Sequence, residues 1–225
     1  MNSDAAVKTY KELRNLGLRE ANGYFQKLSE FLKETLVDFK WSPADIKKRG
    51  HRVIEIAEAI KLLVFDLKKN QTFNKKIMVI GNGGSAGIAM HALEDYANIG
   101  GLKTMDFYGP ALLTCMANDY GYENVFAKPI EMFAEADDML FAISSSGKSP
   151  NILNACESAL AKNCDVVTFS GFSSDNPLRK LGRMNFYVPS THYGFVELAH
   201  QVLIHCILDL FIRDKIYEEE RELLG

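Results

Sequence analysis

The chain has 225 residues, 47% of them hydrophobic, which is enough to bury the core of one α/β domain with additional helices. Its formal net charge of −3 argues against a protein that binds nucleic acids electrostatically. The four cysteines show no metal-binding or disulfide spacing, the N-terminus is polar, and no apolar run approaches a membrane span. We therefore expect a cytoplasmic protein with neither a nucleic-acid nor a membrane partner.

The first 70 residues favour helices. Residues 5–38 follow a helical pattern, and Ser42-Pro43 predicts the start of another helix that runs to about Lys69. Because no strand pattern is evident before residue 71, we predict two parts. A helical segment over 1–70 packs on the domain or on neighbouring subunits, and a domain covers 71–225.

From residue 76 onward, short apolar runs alternate with helical patterns. The predicted strands begin at Ile77, Lys103, Asp138, Asp165 and Met184. One long helix is expected from about Tyr193 to Glu220. Alternation of strands and helices with short connections predicts a three-layer α/β fold with a parallel sheet. Ligands bind such sheets at the carboxyl ends of their strands.

A glycine-rich loop follows the first of these strands. Gly81-Asn82-Gly83-Gly84-Ser85 separates the apolar run from a helix, so unpaired amides and the helix dipole favour an anion here. The loop also fits the loose G-x-G-x-x-A form of the dinucleotide fingerprint, but the nearest confirming acid, Asp106, falls inside the next strand. A tight structural turn is the alternative interpretation.

A serine-rich loop follows the strand that begins at Asp138. Its four hydroxyls belong to Ser144, Ser145, Ser146 and Ser149. One serine would suffice to cap the next helix, whereas four hydroxyls together with helix amides suit the oxygens of a phosphate monoester. A nucleotide P-loop is not indicated, because Ala142 stands where that motif needs its first glycine. We predict a phosphate site here, with Lys148 as its one full positive charge.

Two helices carry polar groups that their spacing can bring together. His91 and Asp95 are four residues apart, and Glu197 and His205 lie eight apart on one face of the last helix. If the helices face each other, the set suits zinc or a similar divalent ion, or proton transfer without a metal. A hydrogen-bond network between the helices is the alternative. His200 lies off this face and is predicted to be structural or solvated.

These motifs together resemble the SIS (sugar isomerase) domain family. Their order and spacing resemble the sedoheptulose-7-phosphate isomerases, or phosphoheptose isomerases, over about residues 50–212. The resemblance implies a flavodoxin-like parallel sheet and a homotetramer with sites at subunit interfaces. It also implies a ketose–aldose isomerase that converts sedoheptulose 7-phosphate to D-glycero-D-manno-heptose 7-phosphate, the first step toward nucleotide-activated heptose.

The resemblance also implies roles for individual residues. Asp95 and His205 match the acid/base pair. A zinc or other divalent ion would be held by His91, Asp95, Glu197 and His205. Phosphate and substrate contacts are expected from Asn82, Gly83, Gly84, Ser85, Asn118, Asp119, Ser144, Ser145, Ser146 and Ser149.

The chain departs from the family pattern at three positions. Asp95 replaces a glutamate and is shorter by one carbon–carbon bond of roughly 1.5 Å. Glu197 replaces a glutamine and adds negative charge, which would tighten a cation or raise the pKa of a neighbouring carboxylate. The family arginine before it is absent from Phe195-Val196-Glu197. Residues 191–197 therefore predict an altered sugar-binding end.

Two other functions stay open from the sequence. The chain is alternatively a non-catalytic sugar-phosphate-binding or adaptor protein, since one relative in the family binds the replication initiator instead of turning over a substrate. The missing arginine and the shortened acid favour this interpretation, whereas the retained His91 and His205 oppose it. A third reading is an isomerase of another phosphosugar.

Overall fold

The described part of the chain, residues 19–40 and 52–224 of a computed structural model, contains seven strands and seven helices, with side chains described through residue 213. The strands are β1 (Leu36–Phe39), β2 (Arg52–Ile54), β3 (Lys76–Ile80), β4 (Lys103–Met105), β5 (Met139–Ser144), β6 (Asp165–Ser170) and β7 (Met184–Tyr187). The helices are α1 (residues 19–33), α2 (Ile56–Thr72), α3 (Gly84–Asn98), α4 (Pro110–Tyr120), α5 (Ala127–Phe133), α6 (Pro150–Ala161) and α7 (Tyr193–Leu224). Short 3-10 helices cover Tyr122–Asn124 and Leu178–Lys180.

All seven strands form one sheet in the order β2-β1-β7-β6-β5-β3-β4. The five strands from β7 to β4 pair in parallel, while β1 is antiparallel to both β7 and β2. Every residue of β3 and β5 is buried, because helices cover both faces of the sheet. The predicted three-layer α/β fold is therefore confirmed, with a sheet that is mostly rather than wholly parallel.

The core divides into one cluster on each face of the sheet. Alternate strand residues such as Val79 and Phe141 pack with α2, α3 and α7, and the intervening ones such as Ile80 and Leu140 pack with α5 and α6. This alternation follows from the two-residue period of a strand. It places α3 and α7 on the same face of the sheet, where they pack together.

The prediction of helix over residues 36–38 and 52–54 is wrong. These residues form β1 and β2, and Val37 of β1 pairs with Phe186 of β7. Pairing with a sheet edge outweighs the helical spacing of local apolar residues, because strand formation depends mainly on packing against neighbours. The segment before residue 71 thus contributes to the sheet. The helical pattern over 5–18 and the helix start at Ser42 lie outside the described residues, and the boundary at residue 70 stays a prediction.

Most other predicted elements differ from the structure only at their ends. Residues 118–120 were expected in a loop but form the last turn of α4, and α2 continues through Thr72. The expectation that no apolar run approaches a membrane span is wrong for Tyr193–Arg213 of α7, which is long and apolar enough by length and composition. Half of that window is buried inside the molecule, and the core helix of a soluble protein meets the same test.

Candidate active site

The glycine loop between β3 and α3 is fixed by one tyrosine. Gly81 donates its N–H to the Tyr108 hydroxyl at 2.6 Å, and that hydroxyl donates to the Gly81 carbonyl oxygen at 3.0 Å. Burial raises the pKa of Tyr108, so its hydroxyl stays neutral and can both donate and accept. Gly83 has φ +55°, a conformation that favours glycine, just before α3 begins. Sequence reasoning missed Tyr108, which carries no motif.

The amide of Asn82 connects the glycine loop to helix α6. Asn82 and Asn151 donate to each other's side-chain oxygens, both at 2.9 Å, and Tyr122 Oη donates to Asn82 Oδ1 at 3.3 Å. Asn151 is only 2% exposed, so this amide pair is a partly buried link between the glycine loop and α6. Asn82 was predicted to contact substrate. The structure places it at the cavity with only one of its N–H groups uncommitted.

The serine loop at the end of β5 is held in a tight turn. Gly147, at φ +62°, donates its N–H to the Ser144 carbonyl oxygen at 3.0 Å. Ser144 Oγ lies 3.4 Å from Ser149 Oγ, and Ser146 Oγ accepts from the Lys148 N–H at 3.3 Å. The hydroxyl of Ser145 is buried and has no partner. A buried unpaired hydroxyl requires an explanation, and a ligand oxygen would supply its partner.

Asn176 supports the serine loop from behind. Its Nδ2 donates to the Ser173 carbonyl oxygen at 2.8 Å and to the Gly171 carbonyl oxygen at 3.2 Å. Gly171 in turn donates its N–H to the Ser145 carbonyl oxygen at 3.0 Å. A Cβ on Gly147 would lie 2.0 Å from Asn176 Oδ1, so this glycine is required by close contact as well as by its φ. Asn176, like Tyr108, was not predicted.

The glycine and serine loops meet at a cavity of about 230 Å³ at the carboxyl ends of β3 and β5. It is lined by Asn82, Gly83, Gly84, Ser85, Ile143, Ser144, Ser145, Ser146, Ser149, Tyr193 and Glu197. The structure therefore brings the two predicted loops together. Asn118 and Asp119 do not line it; they lie exposed at the end of α4, where Asn118 Nδ2 donates to Asp119 Oδ1 at 2.9 Å.

A larger cavity of about 560 Å³ lies at the opposite ends of the strands, their amino ends. Arg183 dominates its polar lining and pairs with Asp66 and with Asp165, the latter at 2.6 Å. Burial raises the pKa of Asp66, although Arg183 opposes this. These charges satisfy one another, and ligands of such sheets bind at the carboxyl ends of the strands, so the smaller cavity is the better candidate for the active site.

Three of the four predicted metal ligands form a cluster on α3 and α7. His91 Nε2 lies 3.0 Å from Asp95 Oδ2, and His205 Nδ1 lies 3.5 Å from the same oxygen. The side chains of His91 and His205 are 52% and 38% exposed, whereas that of Asp95 is 17% exposed. The cluster is open to solvent in the single chain, and both histidines lie beside the same carboxylate, that of Asp95.

Glu197, the fourth predicted ligand, lies elsewhere. Helices α3 and α7 run side by side in the same direction, so Glu197 contacts Gly84 at the start of α3 while His205 reaches Asp95 further along. Eight residues of α7 separate Glu197 from His205, or about 12 Å along the axis. The structure thus places Glu197 in the cavity and leaves His91, Asp95 and His205 as a separate group.

The donor set of this group fits a divalent ion. Its three ligand atoms lie within 4.8 Å of one another and offer two imidazole nitrogens and one carboxylate oxygen. Ligand atoms around a tetrahedral Zn²⁺ with bonds of roughly 2.0–2.2 Å are about 3.3–3.5 Å apart. The distances of 3.0 and 3.5 Å to Asp95 are close to that spacing. They equally suit direct hydrogen bonds.

Of the two roles predicted for His200, structural or solvated, its burial supports the structural one. Its side chain is fully buried, and Nε2 lies 3.2 Å from the Ser170 carbonyl oxygen, which can only accept, so Nε2 carries the proton. Nδ1 has no partner. Burial lowers the pKa of His200 to about 4, so it is neutral at physiological pH.

The fold and the two loops define a sugar-phosphate-binding domain, and the sequence model described as the SIS domain matches residues 45–171. The chain belongs to the SIS domain family. Its curated relatives include the phosphoheptose isomerase of Fusobacterium nucleatum, 33% identical over 143 residues that cover 61% of this chain and 73% of that protein. The phosphoheptose isomerase of Shewanella denitrificans is 34% identical over 154 residues, covering 65% and 79%.

Comparison of structures agrees with the sequence comparisons. A phosphoheptose isomerase from Francisella tularensis has a TM-score of 0.69 at 24% identity, covering 87% of this chain and 97% of that one, which shows the same fold. Together with the curated relatives, this confirms the predicted family resemblance and the predicted class of enzyme, a phosphosugar isomerase.

Proposed function

We propose that the protein converts sedoheptulose 7-phosphate to D-glycero-D-manno-heptose 7-phosphate. The observation that carries the proposal is the arrangement of two sites along one pair of helices. A cavity rich in hydroxyl groups, with the unpaired Ser145 Oγ, lies at one end of the α3–α7 pair, and an imidazole–carboxylate cluster lies further along it. The first suits a phosphate and the second suits proton transfer.

Asp95 and His205 supply the acid and the base. One of them removes the proton from the carbon beside the carbonyl, which gives an enediolate, and a proton returns to the neighbouring carbon while the oxygen protons redistribute. Asp95 lies within reach of both histidines, so its carboxylate fixes their orientation. Either group can act as the base: Asp95 in its ionised form or His205 in its neutral form.

The separation of the two sites favours a long sugar. A chain of seven carbons joined by bonds of roughly 1.5 Å, with a terminal phosphate, spans about 10 Å when extended. That matches the offset of about 12 Å between Glu197 and His205 along α7. A ligand that begins beside Glu197, in the cavity shared with the serine loop, must therefore be about as long as a heptose phosphate to approach the cluster.

His91, Asp95 and His205 are the residues that would hold zinc or another divalent ion. A bound ion would polarise the carbonyl and hydroxyl oxygens of the sugar. Glu197 enters this set only by a change of side-chain conformation, so we assign it to the cavity.

We also propose a cytoplasmic homotetramer with active sites at its subunit interfaces. Exposed apolar side chains lie on the two helices that carry the solvent-open cluster: Met90 is 56% exposed, and Leu198 and Val202 are each 43% exposed. Contact with another subunit would cover these side chains and exclude water from the reacting groups. Native mass spectrometry of the purified protein measures the subunit number directly.

The activity is tested with purified protein, with and without added Zn²⁺. Conversion of sedoheptulose 7-phosphate is followed by NMR of the sugar protons in D₂O, where exchange at the carbon beside the carbonyl reports enediolate formation. Turnover with solvent exchange is the expected result. Protein that binds sugar phosphates but shows neither turnover nor exchange would exclude the isomerase and favour the non-catalytic alternative.

A further inference from the structure

The cavity beside the serine loop contains one charged side chain among its described lining residues. This is the carboxylate of Glu197; the other polar groups are serine hydroxyls, the Asn82 amide and the Tyr193 hydroxyl. Neutral donors therefore face a phosphate on one side, while an acid lies on the glycine-loop side. These two sides impose different requirements on a ligand.

The position of Glu197 depends on a glycine of the opposing helix. A Cβ on Gly84 would lie 2.5 Å from both Oε1 and Oε2 of Glu197, so the carboxylate occupies the space that any larger residue would fill. Since α3 and α7 pack along their lengths, with Tyr96 Oη donating to the Ile204 carbonyl oxygen at 3.1 Å, the backbone that carries Glu197 is positioned by helix packing rather than by a loop. Within the described residues it takes part in no hydrogen bond or ion pair.

An ionised carboxylate can only accept hydrogen bonds. A ligand group beside Glu197 must therefore donate, as a hydroxyl does. A carboxylate in the same place would meet a like charge, and a carbonyl oxygen would be left without a donor. A glutamine of the same shape would accept and donate, and would tolerate all three groups.

We propose that Glu197 is a specificity-determining residue that selects phosphorylated polyols over phosphorylated acids. It requires that the ligand group beside it donate a hydrogen bond, as a hydroxyl does and a carboxylate does not. The inference rests on the proposed phosphate binding by the serine loop, and it narrows the substrate class to sugars with a free hydroxyl group beside Glu197.

Two small phosphate esters test the selection. Glycerol 3-phosphate and 3-phosphoglycerate, of matching configuration at carbon 2, differ in one terminal group, CH₂OH against COO⁻, and both have a size suited to a cavity of about 230 Å³. Their dissociation constants are measured by ligand-observed NMR on the wild-type protein and on Glu197→Gln. Inorganic phosphate serves as the reference ligand.

We expect the wild-type protein to bind glycerol 3-phosphate at least about tenfold more tightly than 3-phosphoglycerate, a difference of about 1.4 kcal/mol. In Glu197→Gln, the ratio should fall to within about threefold, mainly because 3-phosphoglycerate binds better. The matched control is Glu58→Gln, which removes the same charge at an exposed position of α2 and should keep the wild-type ratio.

The alternative outcomes separate this inference from the proposed function. Equal binding of the two esters by the wild-type protein, or a ratio unchanged in Glu197→Gln, would overturn the role of Glu197 and leave the phosphate site standing. Absence of binding for inorganic phosphate and both esters would refute the phosphate site itself, and the role of Glu197 with it.

Discussion

The serine loop and the His91–Asp95–His205 cluster are built in opposite ways. The loop is supported within one chain: Asn176 and Gly171 brace it from behind, and Ser145 is only 4% exposed. The cluster consists of side chains on two helix surfaces, and more than half of His91 is exposed. The proposed phosphate site is thus preorganised by the fold of the single chain, whereas the proposed reacting groups need a cover that the described chain does not supply.

The largest expected effect comes from variants of the cluster that leave phosphate binding by the serine loop unchanged. Asp95→Asn and His205→Ala should each lower kcat for the isomerisation by about 10³-fold, within the range for loss of a general acid or base. Because neither residue lines the cavity, the affinity for inorganic phosphate should stay within about twofold of wild type. Steady-state kinetics and phosphate titration measure the two quantities. Loss of phosphate binding in these variants would contradict the division.

Gly147→Ala tests the serine loop through its backbone. The positive φ of +62° and the contact at 2.0 Å with Asn176 Oδ1 both oppose a Cβ. The expected loss in the free energy of unfolding is about 2–4 kcal/mol, from strain and overpacking together. Gly87→Ala is the control, since a Cβ there meets nothing within 4 Å and should stabilise α3. Urea unfolding measures the stability of both variants. Equal stability of the two would contradict this prediction.

Ser145→Ala tests the binding region without changing its backbone. Removing the unpaired hydroxyl should raise KM for the sugar phosphate about ten- to a hundredfold, the value of a hydrogen bond to a charged group, with little effect on kcat. Stability should not fall, because no protein group loses a partner. Ser158→Ala, on α6 outside the cavity, should leave KM unchanged. An unaltered KM in Ser145→Ala would place the phosphate elsewhere.

The smallest effect concerns His200, beneath the binding region. The pKa of His200 is lowered from 6.5 to about 4. Between these two pH values the unfolded chain binds a proton at this residue, whereas the folded chain does not. Stability should therefore be lower at pH 5.5 than at pH 7 by about 1 kcal/mol from this group. Thermal unfolding of His200→Gln should show a correspondingly weaker pH dependence. An identical pH profile in both proteins would argue against a neutral buried imidazole.

The sequence predicts those parts of the site that depend on local chemistry. Four serines in one turn and a glycine loop after an apolar run identify the two loops, because phosphate binding needs hydroxyls and amides at a strand end. The residues that position these loops, Tyr108, Asn151 and Asn176, follow no spacing rule and become visible only when the chain is folded. The position of Glu197 in the cavity was not predicted either, because it depends on how α7 packs beside Gly84 of α3.

The fold likewise divides into strands that the sequence predicts and strands that it does not. Strands β3, β5 and β6 are evident as continuous apolar runs, since both of their faces are buried. The four residues of β1 match helical spacing equally well, and only their pairing with β7 decides the outcome. Short segments that join a sheet from outside the repeating strand–helix pattern are set by long-range contacts.

The strand β1 also has a consequence for solubility. Without it, Met184–Tyr187 would be a fully buried apolar strand with one row of backbone groups unpaired, the kind of edge that recruits strands from other molecules. With it, the sheet ends on either side in a strand of only three residues, β2 and β4, which give an incoming strand little to pair with. By covering this edge, β1 and β2 should lower the tendency of the protein to aggregate through strand pairing.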